Sequence, residues 1–539
     1  MHLTCFRRSS GTLVAVVANL LLTTLFAGAV VAGEPWQLRL RHQDPVAEGV
    51  PRYHRSEQAE AWDPETTAVI VCDMWDSHHC FRAVGRVQEL APRMDAFLIT
   101  ARQRGATIIH APSSCMEAYQ DHPSRDRALA APSAGDFPDQ IDQWCYQIPA
   151  EEAVEYPIDQ SDGGEDDTAE EHAAWVAELE RQGRNPRAPW LKQIDRLSID
   201  ADRDYISDSG KEIWNILRDR GIERVMLVGV HTNMCVLGRP FGLRRMVAAG
   251  MPVVLVRDLT DTMYNPQAWP YVSHFSGTDL IIDHIERHVC PTISSDQVLG
   301  GAPLRFADDD RPHVALLISE PEYDTARTLT DYARENLQRD FRLSYIYGSE
   351  DDGNRFPGLE SLAEADVLLL SVRRRTPPAE QLKIVRDFID AGKPVVGIRT
   401  ANHAFHLRNQ PVPDGAAAWS TFDPDVFGGS YSNHYGNDLE TVVRIVPEQA
   451  DHPILEGISA EPFVSGGSLY RVAPVADSAE VLMLGTVAGH PSEPVAWTYR
   501  RSDGGRSFYT SLGAIDDFAR PEFQQLLRGA ILWTLESDD

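Results

Sequence analysis

Positive charge is scarce in this chain. Lys and Arg number 50 against 80 Asp and Glu, a formal charge of −30. That deficit excludes the phosphate-neutralising surface of a nucleic-acid binder and the basic face of a protein resting on anionic membrane. Cysteine is scarce too, with seven in 539 residues and none after Cys290. One of them is Cys5. The other six (Cys72, Cys80, Cys115, Cys145, Cys235 and Cys290) show no zinc-ligand spacing, and a chain this long does not depend on disulfide staples. At most two bridges are expected, with Cys235 outside them. Beyond the first thirty-odd residues no apolar run is long enough to span a bilayer, and no short internal repeat occurs.

What is present begins with a targeting pattern. Arg7 and Arg8 precede an uncharged apolar stretch from Gly11 to Val31, closed by small residues at Ala27-Gly28-Ala29 and Val30-Val31-Ala32. Residues 1–33 therefore read as a signal peptide, and the expected location is secreted or periplasmic, with a membrane tether as the alternative.

The length exceeds what one core can hold. Residues 34–64 read as a polar, irregular lead-in over the surface. From 65 to 298, short apolar β-branched runs (Thr67–Cys72, Ala106–Ala111, Val225–Val230, Pro252–Arg257) alternate with helical patterns at 87–104, 213–220, 237–250 and 278–288. An insertion at about 113–194, rich in Asp, Glu, Pro and Gly, breaks this rhythm and carries a short helix at 169–182. Residues 299–311 form a linker with an acidic run. Residues 312–539 resume the alternation, with strands at 313–318, 342–347, 367–372 and 394–398 and helices at 323–337 and 379–391. The pattern becomes mixed after about 411 and ends in a helix at 521–533. Such alternation predicts two α/β domains, each with a mainly parallel sheet covered on both faces.

Chemistry concentrates in Arg224-Val-Met-Leu-Val-Gly-Val-His-Thr-Asn-Met-Cys235-Val. A buried strand ends in a turn that delivers Cys235 to a helix expected over Leu237–Gly250, whose positive end would favour a thiolate. Asp73 closes the first strand of the same domain. Strand carboxyl ends meet in one crevice of a doubly wound sheet, so the acid and the thiol can meet there. Asp73 would take the thiol proton and pass it to a leaving amine, while main-chain N–H groups at Met234 and Cys235 would hold the oxyanion.

Three segments carry a resemblance: Ala68-Val-Ile-Val-Cys-Asp73-Met, the block Gly221 to Val236, and Gly250-Met-Pro-Val-Val-Leu-Val-Arg-Asp258. Through them the first domain resembles the isochorismatase-like cysteine hydrolases, which include the nicotinamidase-related amidases. The resemblance implies a three-layer α/β/α fold, a triad of Asp, Lys and Cys, a cis peptide near Val230-His231, an oligomer, and hydrolysis of a carbon–nitrogen bond other than a peptide bond. It assigns Asp73 as base and Cys235 as nucleophile. The lysine is missing. Its position falls at Asp202, and the neighbouring Arg203 is the candidate stand-in, although arginine does not shuttle protons at neutral pH.

Trp75, His78, His231 and Asn233 are the candidate substrate contacts, and Asp76, His78 and His79 lie where a polar loop or a metal site would form. The metal that nicotinamidases hold through Asp-x-His is not expected, because His110-Ala-Pro-Ser-Ser-Cys lacks that arrangement. Asp159 to Glu170 has partial calcium-loop spacing, with Gly164 at the sixth position and Glu170 at the twelfth, but Gly163 at the fifth and no helix before it. An acidic lid over the crevice is the plainer reading, and no cofactor is expected.

The second domain resembles the ThuA-like domains, which share the class I glutamine amidotransferase-like, flavodoxin-like fold. The matching stretches run from Ala365-Asp-Val-Leu-Leu-Leu and Gly392-Lys-Pro-Val-Val-Gly-Ile-Arg-Thr-Ala through Phe427-Gly-Gly-Ser-Tyr-Ser-Asn-His434 to Ile531-Leu-Trp. Where amidotransferases place the nucleophilic cysteine stands Arg399, and the domain has no cysteine. Arg399, His403, His406 and His434 are candidates for a carbohydrate or anion site. Two functions follow: an exported cysteine hydrolase of a small amide with a ThuA-like accessory domain, or a binding protein that keeps both folds without the chemistry. The expected partners are a small-molecule substrate and a second copy of the chain.

Overall fold

The computed structural model describes residues 33–536. The targeting segment, but for Gly33, and Cys5 lie outside the described residues. The chain enters through β1 (Trp36–Pro45) and β2 (Tyr53–Trp62), an antiparallel hairpin and not an irregular lead-in. Trp36, Leu38 and Leu40 recur at period two and turn one face of β1 into the core. The polar residues between them, Gln37 and Arg39, face water and disguise the strand.

The first domain continues with β3 (Thr67–Cys72), α1 (Phe81–Gln103), β4 (Thr107–Ala111), α2 (Pro123–Ala130), α3 (Ala169–Arg181), β5 (Tyr205–Ile206) and α4 (Gly210–Asp219). Next come β6 (Arg224–Val230), α5 (Leu243–Ala248), β7 (Val253–Asp261), α6 (His274–His288), β8 (Thr292–Ile293) and α7 (Asp296–Leu299). The sheet order is β2-β1-β8-β7-β6-β3-β4-β5, parallel from β8 to β5, with the hairpin antiparallel at one edge. Alternate residues of the central strands face two helical layers: Ile70, Val225 and Leu227 on one side, Val69, Val71, Met226 and Val228 on the other. That is the three-layer α/β/α arrangement.

The second domain runs β9 (His313–Ser319), α8 (Thr325–Asn336), β10 (Arg342–Tyr347), β11 (Val367–Val372), α9 (Ala379–Asp390), β12 (Val395–Ile398) and α10 (Phe422–Phe427). Short strands follow: β13 (Asn433–His434), β14 (Thr441–Ile445), β15 (Phe463–Ser465) and β16 (Tyr470–Arg471). It closes with β17 (Ala479–Thr486), β18 (Glu493–Arg500), β19 (Arg506–Thr510) and α11 (Pro521–Leu535). Its sheet order is β10-β9-β11-β12-β19-β18-β17-β14-β15, parallel to β19 and antiparallel beyond, while β13 pairs with β16 apart from it.

Two further expectations are corrected. Leu237–Gly250 is not one helix. Cys235 sits in a π-helical turn, Thr232–Val236, and a regular helix resumes only at Leu243. Pro240 has no N–H to donate and interrupts the run. The peptide joining Val230 and His231 is not cis; among the described residues only Trp269-Pro270 and Ala473-Pro474 are. The chain turns there by placing Gly229 at φ 121° and His231 at φ 64°. A Cβ on Gly229 would stand 2.0 Å from the Cys72 carbonyl oxygen, so the close approach of β6 to β3 requires glycine.

The six described cysteines are all free and buried. No helix among the described residues is long and apolar enough to cross a membrane. The domains dock through the hairpin and α6. Arg55 of β2 donates to Ser344 of β10 (3.0 Å) and pairs with Asp283 of α6 (3.4 Å), and Ser276 of α6 donates to the Gln338 carbonyl (2.6 Å).

Candidate active site

β3 and β6 are neighbours, so their carboxyl ends bring Asp73 and the Cys235 turn together. Asp73 is fully buried and takes φ 48°, which bends its side chain back toward the crevice. One carboxylate oxygen accepts the Ser113 N–H (2.8 Å), and the other accepts the Arg239 guanidinium (2.9 Å). The Cys235 thiol lies beside both Asp73 and Arg239, close enough for the charge of each to act on it.

Arg239 is the cation of this site, and the sequence reading missed it. Arg203, the expected stand-in, is mostly exposed on the surface and pairs with Asp200 (2.8 Å). The family position of the missing lysine lies upstream of the cysteine strand, whereas the charge comes from four residues after the nucleophile. That spacing is one helical turn and was the available signal. The Arg239 guanidinium also lies against Trp144 of the insertion (5.3 Å), which shields it from water.

The resting thiol differs from the expectation of a stabilised thiolate. Burial first, and the Asp73 charge next, push the Cys235 thiol well above its ordinary range, and the opposing pull of Arg239 does not reverse this. No long helix begins at the turn to supply a dipole. The thiol therefore holds its proton until a base removes it, and Asp73 is the acceptor in contact. The Met234 N–H donates to the His231 carbonyl (2.9 Å), so in this conformation it is committed to the loop and is not open to an oxyanion.

The insertion roofs the crevice. Trp190 stacks on Trp75 (4.4 Å, 10° between planes), and His78 stacks on both. The His231 ring lies 4.6 Å from that of His78. Trp75, His78 and His231 thus form one aromatic wall, and burial holds His231 down to about 4, uncharged at neutral pH. Asn233 is committed to structure: its amide bonds Met263 through both groups (2.9 Å each) and Gln160 (3.1 Å). Tyr156 of the insertion donates to the Asn233 carbonyl (3.1 Å). Gly164, at φ 75°, packs so closely that a Cβ would meet the Met263 carbonyl oxygen at 2.3 Å. Trp190, Tyr156 and Gln160 carry no motif, and only the fold brings them here.

The residues present do not fit the metal of the nicotinamidases. His110 is buried between Gln193 (3.0 Å) and Asp204 (3.2 Å), which Arg102 neutralises. Asp76 pairs with Arg184 (2.8 Å) and so ties down the insertion. In the acidic loop Asp159 bonds Ser161, and Asp167 accepts the N–H groups of Phe81 and Arg82, capping α1. That cap explains why α1 starts at Phe81, earlier than its apolar periodicity. Among the described residues, two groups are compact enough to hold an ion, Cys80-Asp166-Asp167 and Glu165-Asp167-His172. In the first, Arg86 already pairs with Asp166 (2.9 Å).

In the second domain Arg399 follows β12 at φ 45°, with its guanidinium 4.2 Å from the Tyr323 ring and 4.6 Å from that of Tyr470. It donates to the Ser511 carbonyl (2.7 Å). His403 is buried with its ring 4.6 Å from Tyr431, whose hydroxyl lies 2.9 Å from Nδ1 of the exposed His434. The three candidates are thus joined through Tyr470 and Tyr431. His406 turns aside to Asp423 (3.4 Å).

Comparison with known proteins follows this division. Residues 199–272 match the family described as the isochorismatase domain, and residues 323–534 match ThuA, described as trehalose utilisation. The chain carries both kinds of segment, each on an α/β fold. Among solved structures, a ThuA-like protein from Bacteroides uniformis is 18% identical, covering 44% of this chain and 97% of its own, with a TM-score of 0.33. A second, from Parabacteroides merdae, is 16% identical over 42% of this chain and 90% of its own (TM-score 0.30). A cysteine hydrolase from Pseudomonas syringae is 17% identical over 44% of this chain and 93% of its own (TM-score 0.26). No curated protein matches the chain.

Proposed function

We propose that the first domain hydrolyses an amide-type carbon–nitrogen bond of a small molecule through a thioester on Cys235. One observation carries this reading: beyond the ends of adjacent strands, the thiol sits between a fully buried carboxylate and a half-buried guanidinium paired with it. The isochorismatase match supports a hydrolase-type family. Asp73 takes the thiol proton as sulfur attacks the carbonyl carbon. The tetrahedral intermediate expels the amine, which leaves with that proton. Water, deprotonated by Asp73, then cleaves the thioester and returns the thiol. Arg239 stays protonated throughout and offsets the charge on sulfur and on the oxyanion. Trp75, Trp190 and His78 offer flat faces to the acyl group. The targeting segment supports action outside the cytoplasm, and the Arg399 crevice is a candidate site for a carbohydrate or an anion.

The test is a panel of small amides and ureides incubated with the full chain, with adducts read by mass spectrometry of the Cys235 peptide. Turnover with a trapped acyl adduct, both absent in Cys235→Ala, is the expected result. Turnover unchanged in Cys235→Ala would sink the reading. The roofed, protonated thiol and the committed Met234 N–H favour the second reading, a binding protein without catalysis. Under it, iodoacetamide would label Cys235 no faster than the other buried cysteines.

A further inference from the structure

A cavity of about 480 Å³ lies where the two domains meet, walled by the hairpin, the insertion and α6 on one side and by α8 and β10 on the other. Its size is that of a small-molecule site, and domain seams are where such sites concentrate. Its walls are aromatic. Tyr345 and Tyr347 lie stacked, 3° from parallel, on the second-domain side, and Tyr53 and Trp269 face them from the first. Its charge is positive, against the strongly acidic character of the whole chain. Arg52, Arg55, Arg287 and Arg334 line it, opposed by Glu155 and Asp283 alone. Asp283 is already paired with Arg55 and Arg287. Arg287 lies over the Tyr53 ring (4.4 Å) and Arg52 over the Tyr347 ring (5.9 Å), so cation and ring surface are presented together.

We infer that this seam cavity binds a small organic anion with a flat ring body, of the aromatic carboxylate class. The ring would lie against the tyrosines and the carboxylate would meet Arg52 and its neighbours. The cavity also touches the machinery of the first domain. His284 lines it and bonds Glu151 of the insertion (2.8 Å), and its ring lies 5.1 Å from Tyr156. Tyr156 holds the Asn233 carbonyl two residues before Cys235. A ligand that shifts α6 or the insertion therefore alters the loop that presents the thiol.

Benzoate is the probe, titrated into the full chain by calorimetry and by thermal melting, with benzamide as its uncharged counterpart. Saturable binding of benzoate, at least tenfold tighter than benzamide, is expected. Arg52→Gln and, as an independent arm, Tyr53→Ala should each weaken benzoate at least fivefold. Saturating benzoate should change the rate of Cys235 alkylation by iodoacetamide at least twofold in the wild type and not in Arg52→Gln. No saturable benzoate binding, equal binding of benzamide, or undiminished binding in both variants would overturn the site. An alkylation rate that benzoate leaves unchanged would overturn its link to the cysteine loop.

Discussion

The two crevices use one device with opposite contents. In each domain a parallel strand ends in a residue forced to positive φ, Asp73 and His231 in the first and Arg399 in the second. In the first, the turn presents a thiol between Asp73 and Arg239. In the second, the corresponding place holds a buried guanidinium packed against two tyrosines. An elbow at a strand end exposes whatever residue occupies it, so the geometry alone does not make a nucleophile. A reactive centre needs a proton acceptor in contact with the presented atom. Asp73 supplies one to Cys235, while the Arg399 guanidinium is held by the Ser511 carbonyl and two tyrosine rings and carries no nucleophilic atom.

The largest effects that would break this contrast lie in the first crevice. Cys235→Ala should lower amide turnover by about 10⁴-fold or more, as loss of a nucleophile does, measured as kcat/KM on whichever amide the panel identifies. Arg239→Ala should cost about 10²- to 10³-fold, the scale of losing one charge-stabilising donor. It should also destabilise the domain by about 3 kcal/mol, because the fully buried Asp73 loses its counter-charge. Arg239→Lys restores a positive charge and should recover most of the stability in a urea titration. A stable, fully active Arg239→Ala would mean that Asp73 is not balanced by this arginine.

In the second crevice the expected effect is on stability and not on the thiol. Arg399→Ala removes a desolvated cation from two aromatic faces and should cost about 2 kcal/mol in chemical denaturation. The alkylation rate of Cys235 should be unchanged. If that rate moved with Arg399, the two crevices would not be separate.

Acid acts on two kinds of titrating group, a paired carboxyl in the first domain and buried histidines in both. Burial alone would raise the Glu151 carboxyl, but hydrogen bonds from His284 and Arg244 bring it down to about 2. A carboxyl depressed on folding contributes stability that is complete above about 4.5 and lost as pH falls toward 2. Glu151→Gln should flatten that limb by at most about 1.4 kcal/mol per pH unit, less where water screens the pair. His403 is held far below 6.5, first by burial and then by Arg374 and Arg373. The unfolded chain protonates it more readily, so its contribution is complete above 6.5 and lost as pH falls below that value. His403→Gln should flatten the upper window only in part, because His231 and His313 are depressed as well. Urea midpoints measured from pH 7 to 3 on both variants check the assignment.

Much of the architecture was legible because buried parallel strands are continuous apolar runs. Val367–Val372 and Thr67–Cys72 stand where the pattern placed them. The hairpin was hidden because β1 is apolar at every second residue only in its first half and β2 is polar along most of its length, and β18 because Pro494 opens an otherwise apolar run. At the site, Asp73 and Cys235 were legible as polar residues at the ends of such runs. Trp190, Tyr156 and Trp144 were not, since an insertion without periodicity gives no clue to what it covers. Arg239 lay between these cases, one turn from the nucleophile but directly before the proline that ends the helical run.

The smallest expected effect is the sharpest test of that last point. Arg203 was the natural substitute for the missing lysine by position in the chain, and Arg239 is the substitute by position in space. Arg203 spends its charge on Asp200 at the surface, with 57% of its side chain exposed. An exposed pair of this kind contributes about 0.2–1 kcal/mol. Arg203→Ala should therefore leave kcat/KM within about twofold and stability within about 0.5 kcal/mol, under the same assays that register the loss of Arg239. A hundredfold loss in Arg203→Ala would require the 199–210 segment to swing onto the thiol during turnover. The His110–Asp204–Arg102 cluster beneath it, buried and fully bonded, opposes such a movement.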